Sequence, residues 1–290
     1  DGAIWLTYGG TVLLATVVAS KEEVSDDIDF FPLTVDYVEK FYAAGRFPGG
    51  FLKRESQQST AEKLTSRLID RPLRPMFADW FKNETQILVN LLSYDSECDP
   101  KVISILASSA ALMVSDIPFN GPVAGCRIVK KNGEFIINPS LSGEAEKYEI
   151  DITLAGNRES IMMVEGEALE ASEDDMTAAI EIGHKAIQPL LDIQEKLAKK
   201  ISPEKRAEKQ IKIDEKLKKF VEKSAASLVK KSLSTTVKLE RYSLVKEAKE
   251  KLLNLLQKHL KTVKSSMMLI IRKRLLKGRK VFLRTISKNL

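Results

Sequence analysis

The chain has 290 residues, 43% apolar and 30% charged, with 46 Lys and Arg against 40 Asp and Glu for a net charge of +6. That length and composition give one large domain or two small ones around a real core, and they exclude a collagen-like or low-complexity chain. Its two cysteines, Cys98 and Cys126, have no C-x-x-C spacing and no apolar run is long enough to span a bilayer, which excludes a disulfide scaffold, a Cys-based zinc site and a membrane-spanning helix, and fits a reducing compartment.

The opening Asp1-Gly2-Ala3-Ile4 has no basic n-region or signal-like apolar stretch. Thr11–Ala19 is short, β-branched and apolar, which predicts a buried strand. Phe31, Leu33, Val35 and Tyr37 alternate as in a half-buried strand. Tyr42–Phe51 holds three Gly and a Pro and reads as a loop. Ser59-x-x-Glu62 is a capping box whose helix is expected to end near Asp70, because Pro72 follows Arg71. Gln86–Leu92 is a strand, and Asp99-Pro100 is an N-cap with Pro at the first helical position of an Ala- and Ser-rich helix reaching about Ser115. Small side chains there allow close packing against a sheet. Val123–Val129 and Phe135–Asn138 flank Lys131-Asn132-Gly133-Glu134, a hairpin signal. Glu149–Leu154 and Ile161–Val164 are further strands, and Ser172-x-x-Asp175 caps a long helix reaching about Lys199.

From Ser202-Pro203 the composition changes. Residues 203–264 are rich in Lys, Glu, Leu and Ala with helical periodicity, which predicts two or three amphipathic helices in an all-α domain over about 203–260. Residues 261–290 form a basic tail without clear period. Residues 1–200 carry 20 basic and 32 acidic side chains, whereas residues 201–290 carry 26 and 8. The net charge therefore sums two unlike parts and says little about partners.

No P-loop, G-x-G-x-x-G or G-x-S-x-G motif is present. The two His, 184 and 259, lie far apart on predicted helices, which argues against a metal cluster or a His-based triad. His184 reads as a surface or packing residue. The informative stretch is 46–74. Arg46-Phe47-Pro48-Gly49-Gly50-Phe51-Leu52-Lys53-Arg54 combines a freed backbone, a ring on which a base can stack and cations for phosphates, as single-stranded nucleic-acid sites do. A surface loop with one anchoring Phe and two solvated charges fits the same residues. Arg67, Arg71 and Arg74 share one helical face by spacing, and the prolines at 72 and 75 are expected to put Arg71 and Arg74 on an extended segment past the helix. Clustered Arg binds phosphate through bidentate donors, and an ion pair with Asp70 is the alternative.

Together these segments resemble the polynucleotide phosphorylase family, which degrades RNA from the 3′ end with phosphate. The resemblance rests on Asp29–Tyr37, Tyr42–Arg54, Leu64–Phe77, Asp99–Ala111 and Ile117–Gly125, in the family's order. It continues through Glu165–Gln188, with its MxxA and GH-x-x-x-Q spacing, and more weakly through Lys238-Leu239-Glu240-Arg241-Tyr242.

What the resemblance implies is an α+β fold, an RNase PH-like core over residues 1–200 followed by a small all-α domain. It implies a homotrimeric ring through which single-stranded RNA threads, possible contact with other RNA-degradation proteins, no membrane, and a bacterial cytoplasmic setting. Phe51, Lys53, Arg54, Arg71 and Arg74, with Arg67 more weakly, become candidate RNA contacts. Where the family shows a second aromatic and a first Arg, this chain has Leu52 and Lys53. The family's phosphorolytic site, which uses Mg²⁺, belongs to a second core and carries two Asp and a Lys. Here Asp151 matches the second Asp, while Ala145 and Thr153 occupy the other positions. No catalytic residue and no bound metal are therefore expected on this chain, and Asp151 reads as structural. The chain is expected to start inside the first core and to stop before the second core and the KH and OB-type domains. Its basic tail is expected to be a shifted-frame or degraded continuation.

Overall fold

The structure, a computed structural model, describes residues 1–22, 30–51, 53–55, 57–141, 148–201, 203–207 and 215–262. Leu52, Ala145 and the basic segment 265–290 lie outside the described residues. The chain forms two compact units, Asp1–Glu208 and Lys209–Leu290.

The first unit holds two four-stranded sheets. In the first, β1 (Gly2–Tyr8), β2 (Thr11–Ala19), β3 (Leu33–Glu39) and β4 (Thr85–Ser93) lie in the order β1-β2-β4-β3. The β1/β2 and β2/β4 pairs are antiparallel and β3/β4 is parallel. β2 sends Leu13, Ala15, Val17 and Ala19 into the core, as its apolar run predicts. β1 carries no clear sequence signal. It turns Ile4 and Leu6 toward the core but leaves Trp5 and Tyr8 exposed, so apolar residues on both faces hide the period of two.

α1 (Thr60–Leu73) opens on the expected capping box: the Ser59 hydroxyl accepts from the Glu62 amide and the Glu62 carboxylate accepts from the Ser59 amide at 2.6 Å. It does not end near Asp70. Pro72 lies inside its last turn, and a 3-10 turn, Arg74–Met76, follows directly. Proline in a last turn removes one hydrogen bond, and burial of Leu73, Met76 and Phe77 in the core outweighs that loss. Arg71 is therefore helical and Arg74 is the helix C-cap, not residues of an extended segment.

In α2 (Pro100–Val114), Asp99 caps the amide of Lys101 at 3.0 Å. The helix packs on β1, β2 and β4 of the first sheet and on β5 (Ala124–Lys131) of the second. Its small residues permit this double contact, with Ser104, Ala107, Ser108 and Ala111 all buried.

The second sheet is antiparallel throughout, in the order β6-β5-β7-β8, with β6 Glu134–Ile137, β7 Ile150–Gly156 and β8 Ile161–Ala168. Asn132 and Gly133 have φ of 51° and 81°, the left-handed pair that a two-residue hairpin turn requires. α3 (Glu173–Ile201) starts at Ser172, whose hydroxyl accepts from the Asp175 amide at 3.1 Å. It crosses this sheet at Gly183, where any Cβ would overlap Leu154 and Ile128.

Residues 203–207 carry no helix and fasten to this unit. Lys205 Nζ donates to the carbonyls of Leu112, Met113 and Ser115 at the end of α2, and burial pushes its pKa down to about 8. Arg206 Nε donates to Asp116 at 2.9 Å.

In the second unit, α4 (Glu215–Leu233) and α5 (Lys238–Thr262) pack on each other, with Val221, Ala225 and Leu252 buried. Among the described residues no helix is long and apolar enough to cross a membrane.

Candidate nucleic-acid interface

The loop Phe41–Glu55 leaves the end of β3, makes one 3-10 turn over Phe41–Ala44 and returns to the start of α1. Gly45, at φ 66°, closes the turn, and the Arg46 amide donates to the Phe41 carbonyl at 3.0 Å. Glu55 closes the stem. Its carboxylate accepts from Lys40 Nζ at 2.8 Å and from the Phe41 amide at 3.2 Å, and this pairing with Lys40 holds the carboxyl below the usual carboxylate range. Next to it, Glu62 accepts from the Glu39 and Ser59 amides. Partial burial opposes its ionisation, but these two amides outweigh that and lower its pKa. The two carboxylates thus fix where the loop leaves and rejoins the fold.

The 3-10 turn of the loop is tied to the end of β4, where the Tyr94 amide donates to the Ala43 carbonyl at 3.1 Å, and beyond it the loop's glycines face open space. A Cβ at Gly45, Gly49 or Gly50 would meet nothing within 4 Å. Phe51 is 100% exposed, so it anchors nothing, unlike the anchoring Phe that the sequence also allowed. Phe47 is 77% and Tyr42 59% exposed. Arg46, Lys53 and Arg54 are exposed, and their side chains have no ionic or hydrogen-bonded partner among the described residues. Lys53 sits at φ 49°, a left-handed conformation uncommon for a long side chain. Rings and unpaired cations displayed on one loop can stack bases and neutralise phosphates.

The structure divides five of the six candidate residues into two groups, with Arg67 between them. Phe51, Lys53 and Arg54 lie on the loop beyond the end of β3. α1 starts at that end, where Glu62 takes the Glu39 amide, and runs back along β3. Arg74 reaches the other end of the strand, where its Nη1 donates to the Phe31 carbonyl and its Nη2 to the Leu33 carbonyl, both at 3.1 Å. The strand separates the two groups by about 20 Å. Arg74 also grips Asp70, with Nη2 to Oδ1 at 2.8 Å and Nε to Oδ2 at 3.1 Å. Its donors are thus taken up by the fold, the Asp70 alternative of the sequence reading. Arg71 pairs with Glu165 of β8 beside a cavity of about 340 Å³. Arg67, between the groups, is exposed and unpaired among the described residues.

Sequence reasoning missed Tyr42 and Phe47 as exposed rings, although Phe47 lies inside the informative stretch 46–74 and Tyr42 just before it. It also missed Glu55, whose partner Lys40 is fifteen residues away and gives no local signal.

Asp151 is held by Arg127 on the adjacent strand, through bonds of 2.9 and 2.6 Å, and this pairing raises the Arg127 pKa. Thr153 lies opposite Arg127 in the β5/β7 register. No three His, Cys, Asp or Glu side chains converge among the described residues. The aligned carboxylate of Asp151 faces a guanidinium, Arg127, as its charge partner. His184 bonds to the Asn157 carbonyl at 3.0 Å and neighbours Gln188, a packing role.

The chain matches the 3′ exoribonuclease family, domain 1, over residues 1–118 and domain 2 over residues 121–186. It is 46% identical over 257 residues to a polyribonucleotide nucleotidyltransferase of Rhodospirillum centenum, covering 87% of this chain and 36% of that protein. It is 44% identical over 254 residues to the protein of that name from Bartonella tribocorum, covering 88% and 34%. The chain thus spans about a third of the length of these relatives. The crystal structure of rice Rrp46 shares the fold, with a TM-score of 0.51 at 19% identity over 66% of this chain and 86% of that one.

Proposed function

This chain belongs to the 3′ exoribonuclease family, and from that premise we propose that it is the RNA-guiding and assembly part of a polyribonucleotide nucleotidyltransferase, a phosphorolytic 3′-to-5′ exoribonuclease of RNA degradation. The observation that carries the reading is the fully exposed Phe51 beside the unpaired Lys53 and Arg54, on a loop whose stem is pinned by Glu55. Single-stranded RNA would lay a base on the ring and its phosphates on the cations. Arg67 would extend this track along α1. Arg71 and Arg74 would join only by giving up their ion pairs. The chain would work within a homotrimer in the bacterial cytoplasm, alongside other RNA-degradation proteins. Magnesium would serve catalysis in the second core of the longer enzyme.

The test pairs two assays. Fluorescence anisotropy with a labelled oligoadenylate should give weak binding that falls steeply with salt. Incubation with RNA, phosphate and magnesium should release no nucleoside diphosphate, and clear phosphate-dependent release would overturn the non-catalytic assignment. A second reading, a free-standing non-catalytic RNA-binding or assembly protein, is favoured by Arg127 occupying Asp151. Size-exclusion chromatography with and without RNA tests assembly: a stable trimer formed by this chain alone supports it, and a monomer that aggregates supports the product of a disrupted gene.

A further inference from the structure

Phe51 has a counterpart on the other side of the loop tip. Phe47 lies four residues earlier, directly after Arg46, and the two rings flank Pro48-Gly49-Gly50. The backbone bends at Gly50, with φ of 79°. The loop therefore reads as cation and ring, turn, ring and cations. Four residues of chain span at most about 14 Å, so the two rings lie within reach of one short oligonucleotide.

Among the described residues, no core contact explains Phe47. It is 77% exposed and belongs to neither buried core, and the backbone at Gly45, Gly49 and Gly50 faces open space. A large ring left in water forgoes the stabilisation that burial would give, so a bound apolar face offsets that loss. The neighbouring Arg46 selects an anionic ligand, and a planar base on a phosphate backbone supplies both features.

We propose that Phe47 is a second stacking platform for a base of single-stranded RNA, with Arg46 as its phosphate partner, so that one strand is held at two points across the tip of the loop. This rests on the reading of the loop as the RNA site. Phe47 would then set the length of RNA that the loop grips, because a strand too short to reach both rings engages only one.

The test measures anisotropy of a labelled oligoadenylate ladder against the 290-residue chain and its Phe47→Ala, Phe47→Tyr, Phe51→Ala and Phe47→Trp variants. Phe47→Ala is expected to weaken binding of the longer oligomers about fivefold or more, the effect of losing one stacked base. The shortest bound oligomer should be unaffected, and Phe47→Tyr should keep wild-type affinity. Indole fluorescence of the Phe47→Trp variant should be quenched by oligoadenylate beyond the wild-type background. Loss of affinity in Phe51→Ala but not in Phe47→Ala, without added quenching in Phe47→Trp, would overturn this inference and leave the RNA reading intact. Wild-type affinity in both Ala variants would overturn the RNA reading itself. A changed oligomeric state of Phe47→Ala with unchanged RNA affinity would assign the ring to a protein interface and also overturn the inference.

Discussion

Arg127 grips Asp151 across neighbouring strands, Nε donating to Oδ1 at 2.9 Å and Nη2 to Oδ2 at 2.6 Å. The carboxylate that the resemblance aligns with a phosphorolytic Asp is thus ion-paired within the second sheet. Asp151→Asn leaves a largely buried guanidinium without its counter-charge, at an expected cost of about 1–3 kcal/mol. Urea denaturation measures it. RNA affinity should stay at the wild-type value, and a collapse of affinity at intact stability would return Asp151 to the functional site.

Arg54 and Arg74 should separate cleanly. If Arg54 holds a phosphate as proposed, Arg54→Ala should shrink the slope of log affinity against log salt by about 1 while the melting temperature holds. Arg74→Ala frees Asp70 and two carbonyls and should cost about 1–2 kcal/mol of stability, with the salt slope unchanged. Salt titrations and thermal melts on both variants decide whether the loop and the C-terminal end of α1 do different work.

Acid should loosen the stem of the loop. Glu55 and Glu62 both have lower pKa values in the fold than in the unfolded chain. In the acid range the unfolded chain therefore binds more protons, and stability falls as pH drops. The contribution is complete above the ordinary carboxyl pKa, about 4.3, and is lost as pH falls through the lowered values. Thermal midpoints from pH 6 to pH 3 should fall less steeply for Glu62→Gln than for wild type. Equal slopes would show that the Glu62 contacts carry no charge-dependent stability.

Gly183→Ala tests the contact of α3 with the second sheet. The added methyl would overlap Leu154 and Ile128, and overpacking of this kind costs about 1–3 kcal/mol. Chemical denaturation should show the loss, and RNA binding measured well below the transition should remain.

Local chemistry made much of the fold legible. The Ser59/Glu62 box, the Asp99-Pro100 start and the Asn132-Gly133 hairpin each need a few neighbouring residues, and each stands where the sequence places it. The end of α1 was not legible, because burial of Leu73 and Met76 decides it and Pro72 alone points the other way. The strand β1 was hidden by Trp5 and Tyr8 on its outer face. At the candidate site, Phe51, Lys53 and Arg54 could be read from residue type. The engagement of Arg71 with Glu165 could not, since ninety-four positions separate the pair.

The two stretches that match domain 1 and domain 2 of the family meet at residues 118–121, yet α2, inside the first stretch, packs on β5 of the second. Leu106 of that helix lies against the core of the second sheet, while Leu112 lies in the core of the first. A recombination joint cut between the two stretches would strip one sheet of its cover. Residues 1–208 should therefore be inherited, and should melt, as one piece, with a single calorimetric peak rather than one for each stretch.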